Sequence, residues 1–309
     1  MPQAMKGRSL ISVSDLASEE IHALLRTADK LKIEQRTGIA HKCLEGKTLA
    51  MIFEKPSTRT RVSFEVGVSQ LGGHALYLSS SDMQLKRGET IGDTAKVLSR
   101  YVNGIMARVF AHQTVAELAA HSTVPVINGL SDDEHPCQIL GDLFTVQEKF
   151  GRLKGLKLAY FGDGNNVAHS LLLGAALVGM HIHTAHPEGY FPNEAFVEKA
   201  KALALMNGGS VTVGSDPNDA ARDAEVLYTD VWVSMGQDDQ GGKKNHFLPY
   251  RIDGKLLSQS RKNAVVLHCL PAHRGEEITN EVLDGPQSAV FDQAENRLHI
   301  QKAILASLM

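Results

Sequence analysis

One stretch of the chain concentrates its reactive side chains: FEKPSTRTRVSFEVG, Phe53 to Gly67. It sets three hydroxyls (Ser57, Thr58, Thr60) and two guanidiniums (Arg59, Arg61) in five consecutive positions behind Pro56. Hydroxyls donate to oxygen, and a guanidinium adds a charged planar fork that fits phosphate. The apolar run KTLAMIF before it reads as a buried strand. Behind it, Phe64, Val68 and Leu71 with Val62 and Val66 read as a helix closed by Gly72 and Gly73. A strand–bend–helix junction presents free backbone N–H groups and the positive end of a helix dipole, which suits an anion. Ser57 or Thr58 sits where an N-cap belongs. Any one of these residues alone reads as a capped surface helix; together they specify a phosphate site. It is not a Walker loop, because GxxxxGK[ST] is absent.

Other candidates are scattered. Arg108 follows the apolar run GIM, where a single arginine is ordinarily an ion-pair partner. His135 stands before Pro136 at a loop-to-helix start, with Gln138 one turn on and facing the same side. Lys55, Lys86 and Arg87 raise the local positive potential. GDGNNV suggests a dinucleotide fingerprint, but Val167 holds the third glycine position and His186 stands where an acid would bind ribose, so that reading is weak. Asp230, in YTDVWVSMG, and Cys269, after VVLH, fall at the C-terminal ends of strands, where open α/β sheets bind ligands. His181, His183 and His186 in HIHTAH lack a carboxylate or cysteine to complete a metal set, and HExxH is missing, so no metal is expected.

Seven ordered motifs, from about residue 8 to the end, are similar to those of the aspartate and ornithine carbamoyltransferases: STRTR, MARVF, HPCQ, DGNN, DVWVSMG, HCLP and AENR. SMG and HCLP point to the ornithine branch. The resemblance implies transfer of the carbamoyl group of carbamoyl phosphate to the δ-amine of L-ornithine, giving L-citrulline and phosphate. Another amine (putrescine, an acylated ornithine or aspartate) is the alternative. Both arginine biosynthesis and arginine breakdown use such a site. The resemblance assigns Ser57, Thr58, Arg59, Thr60, Arg108, His135, Gln138 and Arg297 to carbamoyl phosphate, with the carbonyls of Cys269 and Leu270 accepting from its NH2. Thr60, Arg108 and His135 then form an oxyanion hole. Asn166 and the Met235 N–H take the ornithine carboxylate, and Asp230 and Ser234 its α-ammonium. Cys269 lies beside the δ-amine, which is lysine-like, with a free pKa near ~10.4, and must lose a proton before it attacks. Arg108, His135 and Cys269 are thus the catalytic candidates. Gln84 matches a position that enters the site from a neighbouring subunit, which implies a homotrimer with shared active sites. No cofactor is implied. After HCLP the chain runs directly into AHRGEEITNEVLDGP, without the longer insertion of some relatives.

Positioning these residues requires strands that end where they stand. The chain alternates strand and helix from KTLAMIF through HALYL, DTAKVLSRYV, GIMARVF, TVAELAAHS and VPVING, and restarts at LKLAYFG. Further strands read at HIHTAHP, SVTVGS, EVLYTDVWVSMG, AVVLHCLPAH and SAVFDQ, and a closing helix at AENRLHIQKAILASLM. The expected fold is α/β: two doubly wound parallel-sheet domains joined by helices. Their bounds read as 1–147 for carbamoyl phosphate, with helix 293–309 packing back onto it, and 148–292 for ornithine. At the N-terminal side, Ser14 reads as the cap of a helix carrying Ile21, Leu24, Leu25, Ala28 and Leu31, and GQDDQGGKKNHFLP reads as a loop. The 309 residues support two domains, and 43% hydrophobic content allows a sizeable core. A net charge of −3 argues against nucleic-acid and membrane-surface binding, so an anion must be held by a local cluster. Three widely spaced cysteines, Cys43, Cys137 and Cys269, without a CxxC pair, read as a reduced cytoplasmic protein. MPQAMKGRSL lacks an apolar core of signal-peptide length, and LLLGAALVGM is too short to span a bilayer.

Overall fold

A computed structural model describes residues 5–83, 88–233 and 242–309. The chain forms two compact units, Met1–Phe144 with Asn296–Met309, and Thr145–Glu295. Each is a parallel sheet flanked by helices.

In the first unit, α1 (Ser18–Arg36), β1 (Thr48–Phe53), α2 (Thr58–Gln70), β2 (His74–Ser79), α3 (Ile91–Leu98), β3 (Gly104–Arg108), α4 (His112–His121) and β4 (Val126–Leu130) follow in order. The sheet runs β2-β1-β3-β4, all parallel. β1 and β3 are buried almost throughout because a parallel sheet is covered on both faces, which is why they read as unbroken apolar runs. Ala50, Ile52, Ile105, Ala107, Val109, Val115, Leu118 and Val126 form its core. α2 buries Phe64 and Val68 and leaves Val62 and Val66 exposed; full burial of a side chain such as Phe64 is worth about 1.5–3 kcal/mol. Ser14 does not cap α1. Ser12 caps a short 3-10 turn, Val13–Asp15, and α1 starts at Ser18, where Glu20 reaches back to the Ala17 N–H (2.9 Å).

α5 (Pro136–Phe150) carries the chain into the second unit. There β5 (Lys157–Phe161), α6 (Asn166–Leu177), β6 (His181–Ala185), α7 (Glu194–Asn207), β7 (Ser210–Gly214), α8 (Pro217–Ala221) and β8 (Val226–Thr229) precede α9 (Lys243–Phe247), α10 (Gly254–Leu257), β9 (Val265–His268), α11 (Asn280–Leu283) and α12 (Val290–Leu308). The sheet runs β7-β6-β5-β8-β9, again all parallel. Phe161, Leu227, Ile252, Val266 and Ile278 lie in its core. SAVFDQ is not a strand: only Ser288 bridges to Val266, and Val290 already begins α12, whose helical run absorbs the apolar residues. In GQDDQGGKKNHFLP, Lys243–Phe247 is helical, with Gly242 in the left-handed region (φ 79°) as its cap. Among the described residues no helix is long and apolar enough to cross a membrane.

Strand order sets a switch point in each sheet. From β1 the chain moves to β2 on one side and then returns to place β3 on the other. From β5 it moves through β6 and β7, and returns to place β8 on the far side of β5. The crevice beyond the carboxyl ends of such neighbours is the usual ligand site of a doubly wound sheet.

Candidate active site

At the first switch point, Phe53 at the end of β1 pairs with Arg108 at the end of β3. A register shift between Ala107 and Arg108 against β4 re-aims the arginine where the strand ends. The bend that follows β1 is tied to β3 by the Glu54 N–H donating to the Arg108 carbonyl (2.9 Å). Ser57, extended at φ −161°, caps α2 by accepting the Thr60 N–H on its hydroxyl oxygen (3.2 Å). Three groups then point at one atom. The Thr60 hydroxyl oxygen accepts from Ser57 Oγ (3.2 Å), from Arg297 Nη2 (3.3 Å) and, at longer range, from Arg108 Nη1 (3.5 Å). Arg297 also donates to Gln138 Oε1, and Gln138 Nε2 donates to Asp142 Oδ1 (2.8 Å). Thr60, Arg108, His135, Gln138 and Arg297 are all buried. Burial, and then the charges of Arg297, Arg108 and Arg59, hold the His135 imidazole well below its ordinary pKa, so at neutral pH it is an uncharged ring.

The STRTR run divides its labour. Arg61 turns away to Glu65 (3.0 Å) and lies over the Tyr77 ring, so it serves the helix and the edge strand. Lys55 pairs with Asp132 and sits over Phe110, which offsets its charge locally. Thr58 is exposed at the start of α2, and Ser57 and Arg59 are half-buried. Gln84, Lys86 and Arg87 lie outside the described residues.

At the second switch point Asp230, just past β8, is the hub. Its carboxylate accepts from Asn165 Nδ2 (2.9 Å), from the Val231 N–H (2.8 Å) and from the Cys269 thiol (2.9 Å). Asn165 also caps α6, its Oδ1 accepting from Val167 N (3.0 Å) and Ala168 N (3.2 Å). Asn166, the first residue of α6, is half-buried beside it. Beneath them the Tyr160 hydroxyl donates to the Asp163 carbonyl (2.9 Å), and its phenol is pushed well up, by burial first and then by Asp230, Asp163 and Cys269. Asp163 pairs with Lys243 (2.8 Å), although burial still raises its carboxyl above the ordinary range. Past β9, Leu270 takes φ 57° and is joined to Pro271 by a cis bond. Ser234 and Met235 lie outside the described residues.

Asp230, His268 and Cys269 each bring a possible metal-ligand atom within 4.8 Å of the others. Both ring nitrogens of His268 are already engaged, by Glu277 Oε1 (2.9 Å) and by the Leu270 N–H (2.9 Å), so the group is a hydrogen-bonded assembly. The HIHTAH histidines go separate ways, to Ser210, Asp219 and the Gly162 carbonyl.

Sequence reasoning missed Asn165, Tyr160 and Glu277. The capping role of Asn165 had a signal, an asparagine just before the apolar turn Val167–Ala168. Its bond to Asp230, 65 residues away, had none. Nothing local marks Tyr160 or Glu277.

Two family models match the chain. The aspartate/ornithine carbamoyltransferase carbamoyl-P binding domain matches residues 8–148, and the aspartate/ornithine carbamoyltransferase Asp/Orn binding domain matches residues 154–308. An ornithine carbamoyltransferase of Anoxybacillus flavithermus is 56% identical over 306 residues, 99% of this chain and 98% of that protein. One of Pyrococcus furiosus, called ornithine carbamoyltransferase, anabolic, is 54% identical over 310 residues, 100% of this chain and 98% of that protein. A solved structure of the ornithine carbamoyltransferase from Pyrococcus furiosus superposes with a TM-score of 0.96 at 54% identity, covering 99% of this chain and 98% of that one.

Proposed function

The chain belongs to the aspartate/ornithine carbamoyltransferase family, and on that premise we propose how its residues carry the reaction. It transfers the carbamoyl group of carbamoyl phosphate to the δ-amine of L-ornithine, releasing L-citrulline and phosphate. The observation that carries the site assignment is the convergence of Arg108, Arg297 and Ser57 on Thr60 Oγ1 beside the uncharged His135. These are fixed donors in a water-poor site, the arrangement that stabilises an oxyanion with little reorganisation.

In our reading the N-terminal α2 turn, Ser57, Thr58 and Arg59, holds the phosphate. The neutral δ-amine attacks the carbamoyl carbon. Charge builds on the carbonyl oxygen, which Thr60, Arg108 and His135 stabilise; the C–O bond to phosphate then breaks, and the departing phosphate takes the proton that the attacking nitrogen sheds. An uncharged His135 donates without adding a net charge, so the arginines alone balance the phosphate. Gln138 and Arg297 orient the donors, and the carbonyls of Cys269 and Leu270 accept from the carbamoyl NH2. Asp230, Asn166, Ser234 and Met235 hold the α-amino acid end of ornithine. Cys269, bonded to Asp230, adjoins the δ-amine. Residues 1–147 with 293–309 form the carbamoyl phosphate domain, and 148–292 the ornithine domain. We further propose a cytoplasmic homotrimer in which Gln84 completes a neighbour's site, working in arginine biosynthesis, as the name of the anabolic Pyrococcus furiosus relative suggests.

The test is phosphate release from carbamoyl phosphate with ornithine, putrescine, N-acetylornithine and aspartate in turn, with citrulline measured in the ornithine reaction. Citrulline formation with little turnover of the other amines is expected. Preferred turnover of putrescine would keep the phosphate half of the assignment and overturn the roles of Asp230 and the SMG segment.

A further inference from the structure

We propose that the buried pair His268–Glu277 is a positioning device: it fixes the backbone at Cys269 and Leu270 so that their carbonyls are presented to the carbamoyl group. The inference rests on the reading above, which gives those carbonyls to the carbamoyl NH2, and adds what holds them.

His268 closes β9, and both it and Glu277 are 0% exposed. Its Nδ1 accepts the Leu270 N–H (2.9 Å), so the ring hydrogen sits on Nε2, which donates to Glu277 Oε1 (2.9 Å). The same carboxylate oxygen accepts the His273 N–H (2.6 Å). One carboxylate thus grips the chain on both sides of the Leu270–Pro271 turn. Glu277 is anchored in turn: its carbonyl accepts the Ile252 N–H (2.9 Å), and Ile278 bridges to both Ile252 and Arg274.

The turn needs this grip. Leu270 has φ 57°, a left-handed conformation that a leucine resists and that persists only where the surroundings over-determine it. The bonds at the Leu270 and His273 amides supply that determination. They also rule out a relay role. With Nδ1 held by Leu270 and Nε2 by Glu277, neither ring nitrogen is open to the Cys269 thiol, which donates to Asp230 instead. The pair therefore acts on geometry and moves no proton.

The experiment compares citrulline formation by the wild type with Glu277→Gln, Glu277→Ala, His268→Asn and His268→Leu. The glutamine keeps an oxygen able to accept from both His268 and His273, and the asparagine keeps an oxygen where Nδ1 meets the Leu270 N–H. We expect both to hold kcat/KM for carbamoyl phosphate within about tenfold of wild type, with an unaltered pH profile. Glu277→Ala and His268→Leu should lose a further roughly ten- to hundredfold, the cost of stranding a buried donor. That loss should fall on carbamoyl phosphate and spare the KM for ornithine. A Glu277→Gln enzyme as inactive as Glu277→Ala, or one that loses a limb of the pH profile, overturns positioning in favour of proton transfer. A His268→Leu enzyme with wild-type kinetics overturns it outright. If the alanine and leucine variants do not fold, the activity and pH profile of Glu277→Gln and His268→Asn still decide. A wild-type chain that makes no citrulline overturns the underlying reading, and the inference with it.

Discussion

Thr60 gathers three donors in the first unit, and its neighbours show how charge is arranged there. Two buried guanidiniums approach its oxygen from different elements, Arg108 from a strand end and Arg297 from the C-terminal helix. Cations brought together in a buried place suit a ligand carrying negative charge. Burial first, and then the charges of Arg297, Arg108 and Arg59, keep His135 uncharged. At this scale, His135→Ala should lower kcat by ~100- to 1000-fold, the usual loss for one oxyanion donor, with the fold intact by circular dichroism. Near-normal turnover by that variant would remove His135 from the oxyanion hole. In the second unit Asp230 plays the opposite part, an anion that accepts from Asn165, Val231 and Cys269 and keeps about one of its roughly four lone-pair sites open.

The elements matter because most site residues stand at the carboxyl end of a strand or the amino end of the helix after it, while Arg297 reaches in from within α12. The α2 terminus serves two purposes through Ser57, which caps the helix and lines the bend. The purposes separate with Ser57→Asp. Aspartate caps as well as serine, so the urea midpoint should hardly move, whereas its charge should repel phosphate and raise the KM for carbamoyl phosphate by at least tenfold. An unchanged KM would show that phosphate does not meet the α2 turn. Most elements were legible because their periods are simple: buried parallel strands read as short apolar runs, and α2 reads at helical spacing. The misreadings came at boundaries. SAVFDQ has strand-like content, yet Val290 is drawn into the longer run of α12. Ser14 has the chemistry of a cap, but Ser12 and Glu20 provide the caps on either side of it.

The molecule as a whole should be sensitive to acid. His135 and His186 are both buried with lowered pKa values; for His186 burial brings it from 6.5 to about 4. A lowered folded value means that below the unfolded pKa the unfolded chain binds more protons, so stability falls as pH drops. Above about pH 6.5 neither group contributes a pH dependence. For His186 alone the loss between pH 7 and pH 4 is about 3 kcal/mol, most of it reached by pH 5. The urea midpoint should therefore be flat from pH 8 to 7 and decline from 7 to 5. A midpoint constant down to pH 5 would mean that these rings are not held neutral. What the sequence by itself determined was local: the capped bend after β1, the two rounds of strand and helix, and the ordered motifs that identify the family, since a cap, a period or a motif is complete within a few neighbouring residues. Only the tertiary structure decided which side chains meet. Strand order brought Arg108 to Thr60, and Asn165 and Cys269 to Asp230. Packing turned Arg61 away from the site, and a carboxylate nine residues from His268 holds Leu270 in a left-handed turn. Such contacts depend on where separate elements end in space, and no spacing along the chain records that.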